Sequence, residues 1–339
     1  MILIGMLHYR KSPEDERKAF ACAAVAKMEG VEFIYFSYGG VDFAQKKIKG
    51  WDYEDGKWRQ REVRFPDVII NISGPRTERQ VELHRQLKES IPFTSFSVGN
   101  KMKVYKMVKK GKVFSDYLIH SEELKNEALL FSSLNQYKKI VIKPFSGNKG
   151  KNVLFLEKID FNHFQLVDQE KKRMLSRVDL RELIRRLKRE NRFLIQPYIE
   201  CKTKAGLTYD FRLHVQKNGK GEWEVTLIYP RISGNQKLVS NVSSGGYRGE
   251  LDMFLQDEFG DNYFDMKRTL EYFATSFSSH LDEQYQCSFD ELGIDIGVDR
   301  NQKLWIFEVN WRPGSKHREF EVAKRLIPYA IYLVNGCEG

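Results

Sequence analysis

Hydrophobic and polar positions along the first hundred residues alternate between two periods. MILIGML and VEFIYFSY are short apolar runs rich in β-formers, and DVIINIS is a third. Between them lie stretches with helical spacing, one after Ser12-Pro13 reaching about Met28 and one from about Thr77 to Lys88. Ser12 with Pro13 reads as a cap followed by a first-turn proline. Strands alternating with helices predict a parallel α/β unit. From about Gly99 a basic helix, NKMKVYKMVKK, leads into short strands and helices up to FLIQPYIE. Leu180, Leu183, Ile184 and Leu187 recur at helical spacing through residues 171 to 191, which predicts an amphipathic helix with a solvated basic face. Beyond Cys201 strand signals dominate: DFRLHVQ, then EWEVTLIYP across a turn at Lys217 to Gly221, then ELGIDIGV and LWIFEVN. A helical segment from about Tyr263 to Ser279 separates the two groups.

In the last two runs the alternation carries chemistry. Every second side chain of a strand points the same way, so Gly293, Asp295, Gly297 and Asp299 share one face. By the same rule Ile306, Glu308 and Asn310 share a face, and the glycines leave space beside Asp295. Hard oxygen donors of this kind suit magnesium rather than zinc. The plainer reading is a half-buried hairpin turning at Asp299-Arg300-Asn301 with acidic groups in water.

Composition narrows the partners. The chain has 339 residues, enough for two or three domains, and is 41% hydrophobic and 13% aromatic, which is globular. No apolar run is long enough to cross a bilayer, and MILIGMLHYRK reads as a first strand rather than a signal peptide. Cys22, Cys201, Cys287 and Cys337 are scattered, which suits a reducing compartment, so the chain is expected in the cytoplasm and the sequons at Asn71 and Asn241 carry no meaning. A net charge of +10 favours an anionic partner. No nucleic-acid motif is present, and neither nucleic acid nor membrane is expected.

Phosphate chemistry is written in several places. Lys143 closes the β-branched run IVIKP and precedes FSGNKGKN, a glycine-containing loop able to present N–H groups and cations to phosphate. It is not a Walker A loop, which would need Gly at 145 and Ser or Thr at 152; the chain has Phe145 and Asn152. Nor does the first unit carry GxGxxG. In Gln196-Pro197-Tyr198-Ile199-Glu200 the proline removes a ladder donor, leaving backbone groups for an adenine. Arg212 and Arg231 sit on neighbouring strands and could grip a triphosphate bidentately. SNVSSGGYRG, with Asn241, Ser244, Gly245 and Gly246, offers an amide, hydroxyls and N–H groups to substrate. His214 shares a strand face with Arg212; a hydrogen-bonded structural role outweighs a base role there.

Taken in order, Lys101, Lys143, the glycine loop, QPYIE, DFR, Arg231, SNVSSGG, Asp295 and EVN resemble the ATP-grasp superfamily of carboxylate–amine ligases over residues 99 to about 315. Within it the chain is most similar to the endospore coat-associated YheC/YheD type, and its C-terminal half is similar to the ribosomal-protein glutamate ligases. The resemblance implies an α/β fold, α+β in its C-terminal half: a Rossmann-like N-terminal domain over 1–98, a central and lid subdomain over 99–200, and a C-terminal subdomain with the metal site over 201–339. It implies that Lys101 (or Lys103 or Lys106) and Lys143 contact ATP phosphates, that Ser146, Gly147, Lys149 and Gly150 close over them, and that adenine lies at Gln196, Tyr198 and Ile199 with Glu200 near the ribose. Arg212 and Arg231 would face the transferring phosphoryl group, and Asp295, Glu308 and Asn310 would hold two magnesium ions. The implied reaction joins a carboxylate, in a small acid or peptide, to an amine such as an amino acid through an acyl phosphate, with ADP and phosphate released. Phosphoryl transfer to a small acceptor and a non-catalytic coat protein are the alternatives; association with the spore and a homodimer remain open.

Overall fold

The computed structural model describes residues 1–145, 152–168, 171–190, 192–234 and 246–336. Its first layer comprises β1 (Leu3–His8), α1 (Arg17–Met28), β2 (Glu32–Ser37), β3 (Val41–Asp42), β4 (Lys47–Glu54), β5 (Lys57–Arg64), β6 (Val68–Asn71) and α2 (Glu78–Ser90). The sheet order is β3-β4-β2-β1-β6, with β5 on β4. β2, β1 and β6 are parallel, as the alternation predicts, whereas the aromatic, charged segment from Trp51 to Trp58 belongs to the antiparallel hairpin β4–β5. Strand β1 is buried throughout because both faces are covered. Ile4 and Met6 pack in the cluster with α1, and Leu3 and Leu7 in the cluster with Leu87 of α2.

Next come α3 (Lys101–Gly111), β7 (Glu122–Glu123), α4 (Glu127–Tyr137), β8 (Lys139–Pro144), β9 (Leu154–Lys158), β10 (His163–Asp168), β11 (Lys171–Ser176), α5 (Arg177–Glu190) and β12 (Phe193–Pro197). The second sheet runs β11-β10-β9-β8-β12-β7 and is antiparallel in every described pairing. The helix expected over residues 171 to 191 begins only at Arg177. Its first six residues pair instead as β11 with β10, where the ladder to Leu166 and its neighbours outweighs local helix propensity. Leu180, Leu183, Ile184 and Leu187 do form the buried stripe of α5.

The third layer is β13 (Tyr209–Lys217), β14 (Trp223–Ile232), β15 (Tyr247–Arg248), α6 (Leu251–Phe259), α7 (Tyr263–Tyr285), β16 (Glu291–Val298), β17 (Leu304–Trp311) and α8 (Glu319–Gly336). Its order is β15-β14-β13-β16-β17, antiparallel. Phe211, Leu213, Ile294, Ile296, Ile306 and Val309 pack on one face against α7 and Val104 and Val108 of α3. The opposite face is left for polar side chains. Helix α8 returns to the first layer, where Ala323, Leu326 and Ile327 join the α1 cluster.

One small expectation fails in this layer arrangement. Ser12 and Pro13 do not cap α1, which starts after Glu16; Ser12 Oγ instead accepts from the Glu14 N–H at 3.3 Å in a turn upstream.

Candidate functional site: a charged row across two sheets

Antiparallel register sets the polar face of the third sheet. Asp210 lies opposite Arg231, Arg212 opposite Asp295, and Asp295 opposite Glu308. Arg212 donates from Nε and, at 3.2 Å, from Nη2 to the two Asp295 oxygens. Arg231 donates to both oxygens of Asp210 at 2.6 Å and lies 3.1 Å from Asp295 Oδ2. All four are largely out of water, with Asp295 6% exposed. Burial pulls the Asp295 carboxyl upward, but the charges of Arg212 and Arg231 outweigh it and hold the group below its ordinary value. Asp210 was not among the site residues expected from sequence. Its signal was its place two residues before Arg212, on the same strand face.

The face assignment of β17 needs correction. The ladder slips between Asp295 and Ile296, so that Asp295 faces Glu308 while Ile296 faces Ile306. Phe307 is the additional residue of this bulge, and Ile306 turns into the core with Val309 rather than sharing a face with Glu308. The glycines of β16 do make room, but it is filled. A Cβ at Gly297 would stand 2.2 Å from the Phe307 ring, and one at Gly293 2.6 Å from Pro313 and 3.3 Å from Arg212 Nη1.

Two lysines reach this row from outside the sheet. Lys101 is the first residue of α3, whose N-cap Asn100 accepts from the Lys103 N–H, and its Nζ lies 3.1 Å from Glu308 Oε1. Lys103 lies instead over the Tyr285 ring. Lys143, on β8, donates to the Phe307 carbonyl at 3.1 Å, which ties the second sheet to the bulge of the third. Between them is a narrow cavity of about 40 Å³ lined by Lys101, Lys143, Gln196, Phe307 and Glu308, among others.

Burial lowers the Lys143 ammonium from an ordinary 10.5 to about 8, although Glu308 pulls the other way; Lys101 lowers it further. Between pH 8 and 10.5 the unfolded chain therefore binds more protons at this group than the folded one, so the group's contribution to stability rises with pH across that window. A polyphosphate beside it would restore the charged form. Near pH 8 ATP binding should take up about half a proton, and close to none at pH 6, where the group is already protonated. Calorimetry in buffers of different ionisation enthalpy measures this uptake. Lys143→Ala should abolish the uptake and weaken ATP binding; unchanged affinity would remove Lys143 from the site.

Gln196 is buried and donates to Ser121 Oγ at 2.5 Å. Tyr198 follows the β12 ladder, its N–H donating to the Lys139 carbonyl at 3.0 Å, so this N–H is not left free for an adenine. Burial pushes its phenol up to about 12. Ile199 packs against the third layer's core, and Glu200 pairs with Arg300 at 2.8 Å and Lys202 at 3.5 Å. Asn310 lies opposite Gly293, two residues beyond Glu308. His214 is 1% exposed and its Nε2 lies 2.9 Å from Glu291, which also meets Lys18 of α1, in keeping with the structural reading. Ser146, Gly147, Lys149, Gly150, Asn241, Ser244 and Gly245 lie outside the described residues; Gly246 is half-buried just ahead of β15. Among the described residues no three His, Cys, Asp or Glu side chains gather as a metal cluster, and no helix is long and apolar enough to cross a membrane.

This mixed α/β fold is similar to that of ATP-grasp ligases of known structure. It superimposes on the D-alanine-D-alanine ligase from Coxiella burnetii with a TM-score of 0.55 at 12% identity, covering 100% of this chain and 97% of that one. It matches the ATP-grasp ligase PsnB, solved with minimal precursor, Mg and ADP, with a TM-score of 0.55 at 11% identity, covering 98% of each. More narrowly, residues 90–333 match the YheC/D-like ATP-grasp family, and the chain belongs to it. The endospore coat-associated protein YheD of Bacillus subtilis is 26% identical over 342 residues, which span 95% of this chain and 75% of that protein.

Proposed function

We propose that the chain is an ATP-dependent carboxylate–amine ligase that works through an acyl phosphate. The observation that carries this reading is the meeting of Lys101 and Lys143 with the Arg231–Asp210, Asp295–Arg212 and Glu308 row. It puts Lys101, Lys143 and the partly exposed Glu308 around one narrow cleft, with Arg212 and Arg231 gathered on Asp295, the strand partner of Glu308. Phosphoryl transfer asks for such groups because its difficulty is charge and alignment, not covalent catalysis.

In the proposed reaction a carboxylate oxygen attacks the γ-phosphorus, the bond to the β–γ bridging oxygen breaks, and ADP leaves. An amine then attacks the acyl carbon, the acyl C–O bond breaks, and phosphate leaves carrying the amine's proton. Lys101 and Lys143 bind the phosphates. Arg212 and Arg231, held in place by Asp295 and Asp210, face the transferring group. Asp295, Glu308 and Asn310 are hard oxygen donors converging on one face, a set that fits magnesium, although here Asp295 already serves two guanidinium groups. Magnesium bound there would neutralise charge on the phosphates. Adenine would lie towards Gln196, Tyr198 and Ile199, and the narrowness of the cleft means that Lys101 and Lys143 must yield when the nucleotide enters. Cys22, Cys201 and Cys287 are free thiols, as suits the cytoplasm.

Hydroxylamine tests the reading. Supplied with ATP, magnesium and a pool of carboxylates, it should intercept the activated acyl group and give a hydroxamate together with ADP. A stable phosphate ester with no hydroxamate would establish phosphoryl transfer to a hydroxyl instead.

A further inference from the structure

A second, larger pocket of about 340 Å³ opens beside the charged row, between the first and third layers. β1 lies between β2 and β6, so the chain leaves it towards opposite sides, and the carboxyl ends of β1 and β6 frame a crevice where open α/β sheets bind ligands. His8 ends β1 and Asn71 ends β6, and both line the pocket. A Cβ on Gly293 would stand 2.6 Å from Pro313, in its wall, and 3.3 Å from Arg212 Nη1, so both residues flank the same glycine. The pocket therefore adjoins the proposed phosphoryl site.

Two buried polar atoms in it are unspent. Asn71 is 4% exposed, yet its side-chain oxygen has no hydrogen-bond partner among the described residues, and neither has the buried Arg312 Nε. Arg312 stacks on Trp311 at 3.7 Å and has no carboxylate within ion-pair distance among the described residues. It holds a left-handed backbone with φ of +53°, a conformation rare for a bulky residue and found where surroundings fix it. Its burial is only partly compensated: desolvation takes the guanidinium down to about 10 against the upward pull of Tyr38, Asp290 and Glu291. Next to His8 in the chain, the Tyr9 ring carries Arg76 at 3.3 Å and Arg10 at 5.8 Å. Burial first, and then the charges of Arg10, Arg76 and Arg312, lower His8 to about 4, so it is neutral at pH 7, with Glu16 4.0 Å from its Nε2. Lys18 and Lys316 also line the pocket, Lys18 paired with the buried Glu291 at 3.4 Å, and Glu16 and Glu319 complete its charged lining. A half-buried cation with no carboxylate in contact gains from a ligand that supplies one.

We propose, resting on the ligase reading, that this pocket takes a dicarboxylate acceptor: one carboxylate turned towards Arg212 to react, the other held by Arg312 with Arg76 and Arg10 near His8. An acidic amino acid is the member of that class whose ammonium would also satisfy Glu16 and Glu319. Arginine suits the anchoring task because its fork binds a carboxylate through two parallel hydrogen bonds.

Calorimetry on the full chain without nucleotide, using glutamate, glutarate and propionate, tests this separately from ATP chemistry. Glutamate and glutarate should each bind at least about tenfold more tightly than propionate, and Arg312→Gln should remove that margin. Arg76→Gln, at an exposed position, should reduce it several-fold, and this second variant decides the matter if Arg312→Gln melts at a lower temperature. Equal affinity for the three acids, or a margin untouched by both substitutions, overturns the proposal. Dicarboxylate binding that depends on these arginines in a protein that makes no hydroxamate would sink the ligase reading and leave the pocket standing. Hydroxamate formed equally well from propionate and glutarate would do the reverse.

Discussion

Asp295→Ala should lower the free energy of unfolding by about 3–5 kcal/mol, a large part of the ~5–15 kcal/mol that holds a typical domain. Removing this carboxylate leaves Arg212 without the partner that accepts two of its hydrogen bonds, in a setting from which water is largely excluded. Arg231 would keep Asp210 but lose its contact to Asp295 Oδ2. Two guanidinium groups on adjacent strands would then repel each other with one carboxylate between them. Asp295→Asn keeps the shape and cancels only the charge, so it should show most of the same loss. Denaturant unfolding followed by two probes measures the change; a loss below about 1 kcal/mol would mean that the row is solvated and not the rigid clamp described here.

Glu308→Gln should act in the opposite way, leaving the fold and removing the activity. Glu308 is about one-third exposed and its visible partner is the Lys101 ammonium at 3.1 Å, a pairing worth under about 1 kcal/mol at such a site. Its charge faces the cleft where phosphates and magnesium are proposed to bind. Turnover of ATP should fall by about a hundredfold or more with an unchanged melting temperature. Wild-type-like turnover at ordinary magnesium concentration would take Glu308 out of the metal set.

Much of this arrangement was legible because it is local. Period-two and period-3.6 patterns placed β1, β2, β6 and α2 in the first layer and the strands carrying Arg212, Arg231, Asp295 and Glu308 in the third. What the sequence could not show depends on partners far along the chain. The strand from Lys171 to Ser176 reads as helix until its ladder to β10 is known. The bulge at Phe307 breaks strict alternation because the core takes both Ile306 and Val309, a choice made by packing. Asp210 lay in plain view beside Arg212, but its duty to Arg231 follows from pairing across a turn. The pocket at His8, Asn71 and Arg312 joins residues some 240 or more positions apart and had no motif at all.

The central claim is that a substrate carboxylate is activated by the γ-phosphate, and following its oxygens tests that most directly. With a carboxylate found by hydroxylamine trapping and labelled in its oxygens with the heavy isotope, the released phosphate should carry one labelled oxygen per amide formed, with ADP as the nucleotide product. Unlabelled phosphate, or AMP with pyrophosphate, would contradict the account.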